Sequence, residues 1–157
     1  MSIPTDWLLE PLSGAGPIRF DLGYSDVAEL LGEPDQPLAK VWGGGAQRAG
    51  WAGGVVAVHF SEPESLSSIE YIEFSSSGGI RPLLYGMCPF ELPADEVLAA
   101  LAREGLAYDE SDPELGYSYV YNEAEISLWR PVLPEDDDDD AGRFFATVGV
   151  GRRGYYE

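Results

Sequence analysis

Apolar residues fall at helical spacing in two places along this chain and at alternating spacing in several others, and the two helical stretches are versions of one another. The first, Phe20 to Leu31, reads FDLGYSDVAELL; the second, Phe90 to Leu101, reads FELPADEVLAAL. With a shift of 70 positions, Phe20 falls on Phe90, Leu22 on Leu92, Val27 on Val97 and Leu31 on Leu101, while Asp21 and Asp26 fall on Glu91 and Glu96. Further along, the same shift places Trp51 on Tyr121, Val56 on Ile126 and Val58 on Leu128. A period near 70 is too long for a solenoid unit and suits two copies of one small α+β module.

In the first copy, Pro17 to Asp21 reads as a short strand. Ser25 is the expected N-cap of a helix whose Val27, Leu30 and Leu31 stand at i, i+3 and i+4, and Gly32 with Pro34 ends it. A helix of barely two turns needs a sheet to lie on. Arg48 to Ala52 and Val55 to Phe60 flank Gly53-Gly54 and predict a hairpin, with a third strand over Ile69 to Phe74. Before these elements, Met1 to Gly16 reads as an irregular arm pinned by Trp7, and Asp35 to Gly50 as a flexible glycine-rich loop.

The second copy opens on a strand from Pro82 to Tyr85. Pro93 in the first turn, the stripe Val97, Leu98 and Leu101, and Gly105 as the stop predict a helix about one turn longer than its counterpart. An acidic connection, Ala107 to Gly116, leads to a hairpin of Tyr117 to Tyr121 and Glu125 to Arg130, and Arg143 to Val150 is the last strand. The expected fold is thus α+β: one domain over 1–157 built of two repeats, 17–79 and 82–152, each a helix on an antiparallel sheet. The pattern leaves open whether the two join into one continuous curved sheet.

Charge narrows the function. A formal net charge of −19 repels nucleic acid backbones and anionic membrane surfaces, so neither is an expected partner and a basic protein is. The same charge also serves plain solubility. The first residues carry neither the basic start nor the apolar core of a signal peptide, which points to the cytoplasm. Cys88 is the only cysteine, so no internal disulfide can form, and it reads as a buried structural thiol. His59, the only histidine, reads as an ordinary strand residue.

Candidate chemistry is sparse. The run Asp136, Asp137, Asp138, Asp139 and Asp140 falls in the longer of the two equivalent loops, where the second copy has twelve residues and the first eight. Its contiguous carboxylates diverge, unlike the spaced ligands of a calcium loop, so it reads as a solvated, self-repelling loop tip. One histidine and one cysteine cannot furnish a transition-metal set. Gly43-Gly44-Gly45 is followed by no phosphate-binding lysine, and no G-x-S-x-G elbow is present. No metal, cofactor or catalytic residue is expected, and the chain reads as a non-enzyme. Tyr117, Tyr119 and Tyr121 stand at i, i+2 and i+4 beside Trp129 on the next strand, and form either core or an exposed aromatic platform.

The helix start and stop, Gly23, Ser25, Val27, Leu31, Gly32 and Pro34, together with the doubled order helix, strand, strand, strand, carry a resemblance. The pattern resembles the tandem module of the secreted β-lactamase-inhibitor proteins and the single-copy SmpA/OmlA-type outer-membrane assembly lipoproteins. The stretch PLSGAGPIRFDLGYSDVAELLGEP is also similar to the opening of a group of actinobacterial cytosolic proteins. By analogy the resemblance implies a protein-binding module. The expectation is therefore a cytosolic immunity- or antitoxin-like inhibitor of a basic protein. Tyr117, Tyr119 and Trp129 would be its anchors and Asp136 to Asp140 its electrostatic steering. The alternative is a small-ligand sensor with a pocket between helices and sheet near Trp42 and Trp51.

Overall fold

A computed structural model describes residues 5–40, 47–60, 69–76, 79–135 and 142–153. Along them run β1 Asp6–Glu10, β2 Gly14–Ala15, β3 Ile18–Arg19, α1 Tyr24–Leu31, β4 Gln36–Lys40, β5 Gln47–Trp51, β6 Val56–Phe60 and β7 Ile69–Ser75. There follow β8 Arg81–Leu84, α2 Ala94–Arg103, β9 Ser118–Tyr121, β10 Ile126–Trp129 and β11 Thr147–Gly151. The fold is α+β, with strands in two sheets dominated by antiparallel pairing: seven in the order β4-β5-β6-β7-β11-β10-β9 and four in the order β3-β2-β1-β8.

The larger sheet grows from local chemistry. Between β5 and β6 the chain turns through Ala52, Gly53 and Gly54 with φ of 55°, 70° and 90°, a left-handed path that two glycines follow without steric penalty. That turn sets Val56 opposite Trp51 and Val58 opposite Ala49. The register then carries one apolar face across the sheet. Val56 meets Phe74 and Val58 meets Ile72; Phe74 meets Val148 and Ile72 meets Val150. Val150 in turn faces Ile126, and Val148 faces Leu128. All of these are buried, and a slip of one residue in any strand would turn its share of the core outward.

The two helices and the smaller sheet cover that face. Tyr24 at the start of α1 stands edge-on to Phe60, ring centroids 5.5 Å apart, and the Trp51 indole N–H donates to the Gly32 carbonyl at 2.9 Å. Val27 and Leu31 of α1 and Val97 and Leu101 of α2 join the same buried cluster. Trp7 of β1 is edge-on to Phe74 at 5.4 Å, which brings the smaller sheet onto the core.

Several local expectations change. Residues 6–10, expected within an irregular arm, form β1, because Trp7 and Leu9 alternate with polar or exposed neighbours and find a parallel partner in β8, from Asp6 opposite Arg81 to Leu9 opposite Leu84. Part of the expected loop from Asp35 is β4, an edge strand whose register against β5 shifts between Gln36 and Ala39, where Pro37 sits. The α1 cap is Gly23, not Ser25: the Gly23 N–H donates to the Asp26 carboxylate at 3.0 Å, leaving Ser25 inside the first turn. Pro93 caps α2 from outside, and α2 exceeds α1 by two residues, ten against eight, about half a turn. No helix among the described residues is long and apolar enough to cross a membrane.

Candidate functional site

The end of the larger sheet formed by β9 and β10 carries the aromatic residues singled out above. β9 is an edge strand, and two of its outward backbone groups are taken by its own chain. The Ser118 N–H donates to the Glu114 carbonyl at 2.9 Å, and the Val120 carbonyl accepts from the Asp109 N–H at 2.8 Å. An edge partly covered in this way is a poorer template for strand addition, and its side chains become the more direct means of contact.

Those side chains divide. Tyr119 and Tyr121, 8% and 2% exposed, face the core, where the Tyr108 ring meets both edge-on at 4.9 and 5.8 Å and Phe145 meets Tyr119 at 5.8 Å. Tyr117 precedes the strand, and Trp129, paired with Ser118, lies on the opposite face from Leu128. Both are 42% exposed, and with Pro113 and Glu114 they line a groove of about 360 Å³. Of the expected anchors, the structure brings Tyr117 and Trp129 together and places Tyr119 on the covered side. Asp136 to Asp140 lie outside the described residues.

Arg130, which carries no periodic signal in the sequence, braces this end. It is 6% exposed, yet its guanidinium bonds two backbone carbonyls: Nε donates to Gly116 at 2.8 Å and one terminal nitrogen to Gly142 at 2.9 Å. Its own N–H donates to the Tyr117 carbonyl at 2.9 Å, and its guanidinium lies 5.7 Å from the centre of the Phe145 ring. One side chain thus joins the approach to β9, the start of the loop after β10 and the far end of that loop.

A second polar group occupies the reverse face of the larger sheet. His59 lies between Arg48 and Tyr71 in the register, and its Nε2, buried and without a hydrogen-bond partner, is 3.8 Å from a Glu73 oxygen, too long for a hydrogen bond. The Tyr71 hydroxyl meets Ser127 Oγ at 2.7 Å above Gly149, where any Cβ would collide with it. Burial, reinforced by the Arg48 charge, pulls the His59 imidazole down from 6.5 to about 4. Burial pushes the Glu73 carboxyl up, with Arg48 opposing. At neutral pH His59 is uncharged, so its approach to Glu73 is not an ion pair.

This arrangement makes stability depend on pH. As pH falls from 6.5 towards about 4, the unfolded chain gains a proton on His59 that the native state refuses. The loss is up to about 3 kcal/mol. Glu73 acts in the opposite sense, because its elevated native pKa lends stability at low pH that fades as pH rises through that pKa. The net fall is therefore smaller than His59 alone would give. Urea unfolding at a series of pH values should show it in the wild type and lose most of it in His59→Gln; an equally steep fall in the variant would exonerate the imidazole.

Other expected chemistry has definite places. The Cys88 thiol is buried, and burial pushes its pKa up. Trp51, expected near a ligand pocket, is buried with its N–H bonded to Gly32, while Trp42 lies outside the described residues. Among the described residues no three His, Cys, Asp or Glu side chains converge as a metal ion would require. No protein-family model matches the chain, and neither a curated protein nor a solved structure does.

Proposed function

We propose that this chain is a non-enzymatic, cytosolic protein-binding module, an immunity- or antitoxin-like inhibitor of a basic protein, with the β9–β10 end of the larger sheet as its contact surface. One observation carries the reading. Among the described residues, six of the nine exposed large hydrophobic side chains, Leu115, Tyr117, Trp129, Val132, Leu133 and Phe144, belong to the segments that Arg130 ties together. Apolar side chains concentrated in this way on an acidic protein have the composition of an interface: aromatic anchors inside, charge around them. The aspartate run lies between Leu133 and Phe144 in sequence, where its field would draw a basic partner towards the anchors.

The two halves are read as copies of one module, each contributing a hairpin and a third strand to the larger sheet. In support, α1 and α2 begin 70 residues apart, β6 and β10 begin 70 apart, and β5 and β9 end 70 apart. The third strands β7 and β11 meet at the sheet's centre. This architecture is the ground for keeping the resemblance to the β-lactamase-inhibitor and SmpA/OmlA modules as a proposal, with protein binding as its consequence.

The test begins by capturing partners from the source lysate at low salt and measuring the affinity of the basic protein recovered. The double variant Tyr117→Ala, Trp129→Ala should weaken it at least about thirtyfold, the effect of one hot spot of about 2 kcal/mol. Replacing Asp136 to Asp140 by serine should slow association at low salt and converge with wild type at high salt. A basic partner held equally well by the double variant would remove this surface from the reading.

A further inference from the structure

The groove beside Trp129 has a particular chemistry. It is lined by two aromatic residues, a proline and an acidic residue, Trp129, Tyr117, Pro113 and Glu114. Two neighbouring aromatics are already occupied by the protein's own cations: the Arg130 guanidinium lies 5.7 Å from the Phe145 ring centre, and that of Arg143 lies 5.7 Å from the Phe144 ring centre. Among the described residues the rings of Trp129 and Tyr117 carry no such cation, and Glu114 takes part in no ion pair.

Charge decides what can enter. An anion would meet Glu114 and the field of a chain with net charge −19. An uncharged apolar side chain would fill the groove but strip water from the carboxylate without returning a bond. A cation satisfies both walls at once, resting on the electron-rich ring faces and pairing with the carboxylate, while its aliphatic stem lies along Pro113.

The geometry points to this groove as the seat for one cationic side chain, an arginine or lysine presented by the partner, and this rests on reading the β9–β10 end as a protein interface. Such a side chain would enter as an anchor, with the aspartate run setting the rate of approach and the groove setting the lifetime of the complex.

The probes are N-acetyl-arginine amide, N-acetyl-lysine amide, tetramethylammonium and, as the uncharged control, N-acetyl-leucine amide. Each is titrated into the full chain while the indole N–H resonance of Trp129 is followed by NMR, assigned from a Trp129→Phe sample. The arginine and lysine amides should shift it saturably at millimolar concentrations, and the leucine amide should not. Glu114→Gln, an exposed change checked for an intact fold by circular dichroism, should weaken the cations up to about fivefold, the range of an exposed ion pair. An equal response to the leucine amide, no saturable response to either amino-acid cation, or binding of tetramethylammonium alone would overturn the proposal, the last because it marks a free quaternary ammonium ligand. Loss of partner affinity in the Tyr117 and Trp129 double variant without any cation response would retire this inference and leave the interface standing.

Discussion

Replacing Arg130 by methionine should lower the free energy of unfolding by about 3–5 kcal/mol: two hydrogen bonds from a charged donor, at about 1.5–3 kcal/mol each, less the desolvation of the guanidinium. The side chain is 6% exposed and its bonds end on the carbonyls of Gly116 and Gly142. Methionine keeps much of the volume but takes the guanidinium donor from both carbonyls, which are partly buried and lose a charged partner. The guanidinium no longer has to be desolvated, which offsets a fraction of the loss. Arg130→Lys should recover less than half, because one ammonium cannot reproduce a planar fork that reaches two carbonyls. Urea denaturation of the three proteins measures this directly. A methionine variant within about 1 kcal/mol of wild type, the scale of a single ordinary hydrogen bond, would show that the brace is dispensable.

Trp7→Ala should be comparably destabilising, at about 3–5 kcal/mol, as for a large aromatic removed from a core. Trp7 is fully buried and edge-on to Phe74, a residue of β7 at the heart of the larger sheet. Its removal empties the junction between the two sheets, and the parallel pairing of β1 with β8 loses its main anchor. Equilibrium unfolding followed by circular dichroism tests whether residues 6–10 are integral. A loss below about 1 kcal/mol would mean that the site had collapsed around the gap or that the smaller sheet frays without consequence for the rest.

What could be read beforehand was whatever local pattern specifies. Gly53-Gly54 announced its hairpin, and the apolar stripes of α1 and α2 announced their buried sides, because each signal lies within a few residues of the structure it causes. What escaped depends on distant partners. β1 pairs with β8, which follows it by about seventy residues, and nothing near Asp6 to Glu10 states that. The tyrosine triplet misled in part because spacing alone does not say where a strand begins. β9 starts at Ser118, so Tyr119 and Tyr121 follow the pleat into the core while Tyr117, just outside it, faces the groove with Trp129. His59 and Glu73 become neighbours only through the register of β6 against β7. Arg130 found its role through backbone carbonyls, which every residue has and no side-chain pattern reveals.

The place of β11 bears on how the molecule is made. It is the last of the described strands along the chain, yet it lies inside the larger sheet, hydrogen-bonded to β7 on one side and β10 on the other. A ribosome delivers residues in order, so β7 and β10 emerge with inner edges that have nothing to pair with, each lined by core residues such as Ile72, Phe74, Ile126 and Leu128. Until Thr147 to Gly151 leave the exit tunnel, the nascent chain holds two unsealed half-sheets, a state open to mispairing with other chains and to capture by chaperones. Closure comes from a segment of five residues inserted like a keystone, and the arch cannot carry weight until translation has passed Gly151.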